Sequence, residues 1–109
     1  MHLMVTNKEK EIQVRLGAAL LLVDIQEYHE KILNVLRIGF PVFIDLSNMN
    51  EIDIAGIQLL LSLRIEAQQN GIALSIHSPS PSAKRIFDFL NISQQLLQEA
   101  TNGSGNVAQ

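Results

Sequence analysis

The sequence predicts an α/β fold, a mixed β-sheet with helices packed on it, in the order β-β-α-β-α-β-α-α. Three observations carry the prediction. The N-terminal segment holds two strand-like stretches joined by a polar turn. From Val42 to Ile76 the pattern runs strand, helix, strand, which calls for a right-handed βαβ crossover and hence a parallel pair. The chain has 109 residues, 47% of them hydrophobic and 17% charged, enough for one domain around a single core and too apolar for wholesale disorder.

Taken in order, residues 2–6 and 11–16 read as strands, with Ile12, Val14 and Leu16 alternating with Gln13 and Arg15. Asn7 to Lys10 joins them as a hairpin, and Gly17 breaks the run. Asp24 is the candidate N-cap of a first helix, in which Ile25, Tyr28, Ile32, Val35 and Leu36 recur at three-and-four spacing before Gly39 ends it. Val42-Phe43-Ile44 follows Pro41 as a run without alternation, which suits a strand covered on both faces. After the loop Ser47 to Ile52, Asp53 caps a second helix over 54–69, closed by Asn70-Gly71. Residues 72–77 alternate as another strand. Ser80-Pro81 has the cap-then-proline order that starts a helix, with Ala83, Ile86, Phe87 and Leu90 on its apolar face. Ser93 caps a last short helix carrying Leu96 and Leu97. Residues 1–100 are thus expected as one domain and 101–109, polar and glycine-containing, as a disordered tail.

Composition narrows the function. Eight basic and eleven acidic residues give a net charge of −3, with no basic stripe, so nucleic acid is not an expected partner. Lys8 and Lys10 alternate with Glu9 and Glu11 as a solvated turn. The absence of cysteine excludes disulfides and thiolate chemistry. No apolar run approaches the roughly 20 residues of a membrane span, and no signal peptide is visible, so direct membrane insertion is not expected and a cytoplasmic protein is.

In open α/β sheets, function collects where strands end and helices begin. Here that place is the loop from Ser47 to Gly56. Gly56, in the first turn of the second helix, costs about 1 kcal/mol of helix propensity relative to alanine. Two readings account for it: close packing of this turn on the sheet, or close approach of a partner or ligand. At 100° per residue the apolar side chains of this helix cover roughly 240° of its surface. The arc near Leu61 and Ile65 must therefore meet either a neighbouring helix or a partner protein.

Ile44-Asp45-Leu46-Ser47, then Ile52-Asp53-Ile54-Ala55-Gly56-Ile57 with Leu59-Leu60-Leu61, then Ala67, Asn70-Gly71 and Ile72-Ala73-Leu74, resemble a STAS domain. This family includes the bacterial anti-sigma factor antagonists and the cytoplasmic domains of sulfate transporters. The resemblance is strongest over residues 40–77 and extends through Val14-Arg15-Leu16-Gly17 and the helix at 81–90. It implies a SpoIIAA-like fold and a partner kinase or anti-sigma factor that docks on the loop and helix start. In the family a Ser or Thr directly after the Asp is commonly phosphorylated. Here that position is Ile54, and Ala55 follows, so no phosphorylation is expected there; Asp53 and Gly56 match the pattern.

The resemblance thus implies a non-enzymatic, phosphorylation-independent interaction module. Its expected contact surface centres on Met49, Asn50, Asp53, Ile54 and Gly56, flanked by Gln58 and Leu61, with Met49 and Ile54 as apolar anchors. An alternative within the family is a subunit or regulatory domain of a membrane transporter, of sulfate permease or lipid-transport ATPase type. A homodimer is compatible with either. Nucleotide binding at the helix start ranks last, because Asp53 repels an anion there.

Other chemistry is not indicated. His2, His29 and His77 share no metal-binding spacing, and no metal or cofactor is expected. His29 reads as an interfacial or core histidine and His77 as a surface one. Asp45 ends a strand, as does the phosphoacceptor of response-regulator receivers. That mechanism needs an acidic pair at the first strand and a lysine near the last, and neither is found. No nucleophile, base and orienting group occur together, so catalysis is not expected.

Overall fold

A computed structural model describes residues 3–8 and 10–97. The expectations for His2 and for the tail at 101–109 lie outside the described residues. Strands β1 (Leu3–Lys8) and β2 (Glu11–Leu16) form the hairpin, paired antiparallel from Leu3↔Leu16 to Lys8↔Glu11. Lys10 takes a left-handed φ of 67° at the reversal. Strand β3 (Ala19–Leu20) and a 3-10 turn over Leu22–Asp24 precede α1 (Ile25–Leu36). Strand β4 (Val42–Asp45), the short β5 (Glu51–Ile52), α2 (Ile54–Gln69) and β6 (Leu74–His77) follow. Helices α3 (Pro81–Phe89) and α4 (Ser93–Leu96) end the described chain.

Among the described residues the main sheet has the order β1-β2-β4-β6. Strand β4 lies parallel to β2, with Val14 opposite Ile44, and parallel to β6, with Ile44 opposite Ile76. Helices α1 and α2 are the two crossovers, as parallel pairing demands. The register lines up Ile12, Val14, Val42, Ile44, Leu74 and Ile76, all buried, against Tyr28, Ile32, Leu60, Leu63, Ala83 and Phe87 in one core. The opposite face carries Gln13, Arg15, Phe43, Asp45, Ser75 and His77. Strand β4 is therefore not covered on both faces. Its burial alternates, and the half-buried ring of Phe43 meets that of His77 edge-on, 6.2 Å between centroids.

Five local features differ from the sequence reading. Strand β1 runs on to Lys8, so Asn7 and Lys8 pair with Ile12 and Glu11 in the hairpin ladder instead of forming its turn. The two-residue strands β3 and β5 pair with each other in parallel, Ala19 opposite Glu51 and Leu20 opposite Ile52. Asp24 stands at the α1 boundary without capping it, because the 3-10 turn already holds its backbone helical and its carboxylate accepts no helix N–H. Strand β6 begins at Leu74: the Ile72 N–H turns back to the Ala67 carbonyl at 2.9 Å, past Gly71 at φ 71°, and so belongs to the exit of α2. Ser93 opens α4 as its first residue and hydrogen-bonds Asp88 instead of capping. Among the described residues no helix is long and apolar enough to cross a membrane.

Candidate functional site

The segment between β4 and α2 is held from three sides. At the strand end, Asp45 Oδ1 accepts the Ser47 N–H at 2.7 Å. In the middle, the Ala18 carbonyl accepts the N–H groups of Asn50 and Glu51, at 2.7 and 3.0 Å. From the far side, the Ser80 hydroxyl donates to the Met49 carbonyl while its oxygen accepts the Ala83 N–H, which ties the loop to the start of α3.

At the helix start one carboxylate joins two elements. Asp53 Oδ1 accepts the Gly56 N–H at 2.9 Å, which is the expected N-cap, and Oδ2 accepts the Leu22 N–H at 2.9 Å. These backbone donors, that of Gly56 first, hold the Asp53 carboxyl below the usual carboxylate range. Asp53 thus fixes the 3-10 turn of Leu22–Asp24 beside the first turn of α2.

Gly56 has its explanation in the same contact. A Cβ there would collide with the Leu20 carbonyl oxygen and stand 2.8 Å from Ile52 Cγ1. Of the two readings of this glycine, close packing inside the chain is the one realised. Gly56 is buried, so it shapes the surface and is not part of it.

Two of the seven expected contact residues are corrected by these findings. Gly56 is one. Met49 is the other: it is 0% exposed and packs in the core, because the Ser80 and Leu46 hydrogen bonds turn the loop inward at that point. Asn50 and Gln58 are exposed, Asp53 is partly so, and Leu61 is half-buried against the core. Ile54 is 61% exposed at the first position of α2.

The structure adds two residues that the sequence reading left without a role. Leu22 and Val23, in the turn that Asp53 anchors, are 68% and 87% exposed. Their signal in the sequence is an apolar pair placed outside the first helix and directly before an acidic residue. On α2, Ile54, Gln58, Leu61 and Ile65 follow at helical spacing, and Ile65 is 57% exposed. The arc near Leu61 and Ile65 is thus only partly covered by neighbouring helices.

Elsewhere, His29 Nε2 lies 3.6 Å from Glu66 Oε1 between α1 and α2. On the opposite sheet face Arg15 Nε is 3.5 Å from Asp45 Oδ2. Burial works to raise the Asp45 carboxyl, but hydrogen bonds from Ser47 and the nearby Arg15 and His77 leave it lowered overall. His77 Nδ1 pairs with the Ser78 hydroxyl at 2.7 Å.

This constellation, a strand ending in Asp45-Leu46-Ser47 and a helix start capped by Asp53 with Gly56 packed beneath it, has a sequence counterpart. The family profile described as "Mlab, STAS domain" matches residues 3–99. The chain belongs to the STAS-domain family. Solved STAS structures share its fold. The anti-sigma factor antagonist SpoIIAA in its unphosphorylated form superposes with a TM-score of 0.71 at 17% identity, over 98% of this chain and 100% of that one. The phosphorylated form of the Bacillus cell fate determinant SpoIIAA gives 0.66 at 17%, over 94% and 95%. An anti-sigma factor antagonist from Mycobacterium paratuberculosis gives 0.69 at 14%, over 87% and 81%. No curated protein matches this STAS domain by sequence.

Proposed function

We propose that this STAS domain is a non-enzymatic docking module, an anti-sigma factor antagonist-like regulator that works in the cytoplasm without phosphorylation at the start of α2. The observation that carries the reading is Ile54: an exposed isoleucine at the position after the capping Asp53, beside exposed Leu22 and Val23. Isoleucine offers no oxygen to a phosphoryl group. A phosphate there would add about −1.5 to −2 charges; an apolar side chain keeps the surface in one state. The antagonist SpoIIAA has been solved in unphosphorylated and phosphorylated forms. This chain, by contrast, would stay competent for its partner, an anti-sigma factor or a kinase-like protein, at all times.

The same permanence favours a second reading, a constitutive subunit of a membrane transporter. Exposed apolar area with no covalent means of switching it off suits an assembly that stays together.

The test uses the full chain and Ile54→Asp as paired baits in an extract of the source cells. A protein retained by the first and lost by the second supports the docking reading; equal retention overturns it. Its identity, sigma-factor regulator or transport ATPase, separates the two readings. Incubation with ATP and the captured protein, followed by mass spectrometry, is expected to leave the chain unmodified. Stoichiometric phosphate on Ser47 or Ser62 would overturn the phosphorylation-free part.

A further inference from the structure

We infer that the partner of this patch presents an apolar centre ringed by lysine and arginine side chains. The inference rests on the docking reading above and specifies the chemistry of the surface that fits it.

The centre of the patch is Leu22, Val23 and Ile54. Its surroundings are acidic. Asp24 and Glu27 follow the apolar pair, and Glu51 and Asp53 precede Ile54, so two short segments joined by the Asp53 hydrogen bonds carry four of the eleven acidic residues and none of the eight basic ones. Glu27 and Glu51 are exposed, and Asp24 is partly so. Among the described residues, the ion pairs involve other carboxylates: Asp45, Glu66 and Asp88. Lys31, one turn beyond Glu27 on α1, is not within ion-pair distance of it. Arg64 lies ten residues along α2, about 15 Å from Ile54 by helix rise. Arg15 is engaged by Asp45 on the opposite face of the sheet.

Asp53 is engaged by the backbone N–H groups of Gly56 and Leu22, while Asp24, Glu27 and Glu51 carry no ion pair among the described residues. A partner with basic residues around its apolar anchor gains attraction at each of them, is steered into encounter, and binds less well as salt rises. A partner with an acidic rim is repelled. A second copy of this chain, docking through the same patch, would set these carboxylates against one another. The patch therefore selects a different protein over itself.

The experiment is a titration of the isotope-labelled full chain, followed by amide NMR shifts. The probes are two amphipathic helical peptides of equal length, one of leucine and lysine, the other of leucine and glutamate. The expected result is saturable shifts at Leu22, Val23 and Ile54 with the leucine–lysine peptide and none there with the leucine–glutamate peptide. The double variant Glu27→Lys/Glu51→Lys changes two exposed side chains. It should bind the leucine–lysine peptide about 2- to 30-fold more weakly, from two lost pairs of roughly 0.2–1 kcal/mol each. Equal shifts at the patch with both peptides, or an unaltered affinity of the double variant, would overturn the charge inference while leaving the docking surface in place. Shifts absent from the patch with both peptides, or confined to other regions, would overturn both.

Discussion

Gly56 packs against the backbone carbonyl of Leu20 so closely that no Cβ fits between them. Alanine would gain about 1 kcal/mol in helix propensity. It would also drive a methyl group into a peptide oxygen and toward Ile52 Cγ1, and the backbone of β3 cannot swing aside as a flexible side chain could. Overpacking of this kind costs about 1–3 kcal/mol. Gly56→Ala is therefore expected to lower the denaturant midpoint and speed amide exchange at Leu22. A raised midpoint would show that the helix start has room to move.

Asp53 supplies a pH dependence. Its folded carboxyl is held below the unfolded value of about 3.9 by the N–H groups of Gly56 and Leu22. A depressed pKa stabilises the fold above the unfolded value, and that contribution is lost as pH falls through the folded one. The stability difference between the parent and Asp53→Asn should therefore be largest near neutrality and shrink below about pH 4. Denaturation series across pH read this directly; a difference that stays constant into acid would mean that ionisation of Asp53 does not contribute.

Much of this geometry is legible in the sequence, and the part that is not has physical reasons. The bounds of α2 follow from Asp53 before it and Asn70-Gly71 after it, since cap and stop are local chemistry. The start of α3 is equally local, at Ser80-Pro81. Met49 is different. An apolar residue between Asn48 and Asn50 reads as exposed, and its burial depends on a hydroxyl 31 residues further on. Strands β3 and β5 are two residues each, too short to show a period, and exist only because the Ala18 and Leu20 carbonyls meet the loop after β4. The outward display of Leu22 and Val23 likewise depends on Asp53, far along the chain. Ile54 was readable because the cap before it fixes the direction of the helix.

Ser80 performs two tasks with one hydroxyl. It caps α3 by accepting the Ala83 N–H at 3.1 Å and donates to the Met49 carbonyl, and the residue is buried. Ser80→Ala removes the cap and leaves a carbonyl oxygen without that donor, a loss of about 1–3 kcal/mol. The expected signature is a lower melting temperature together with faster exchange at Ala83. Ser80→Thr retains the hydroxyl and should recover much of the loss if hydrogen bonding, and not side-chain volume, is responsible.

Met49 and Ile54, five residues apart, should respond in opposite ways to substitution. Met49 fills the core at 0% exposure, so Met49→Ala removes packed volume and is expected to cost about 2–5 kcal/mol of stability. Ile54 is largely in solvent, and an aspartate at the first position of a helix meets the partial positive charge of its N-terminus. Ile54→Asp should therefore fold as well as the parent, or better by about 0.3–1 kcal/mol, while losing the docking partner. Thermal melts and partner retention, measured on both variants, separate the two roles. If Ile54→Asp unfolds, or if Met49→Ala keeps full stability while losing the partner, the two residues have been assigned to the wrong sides of the surface.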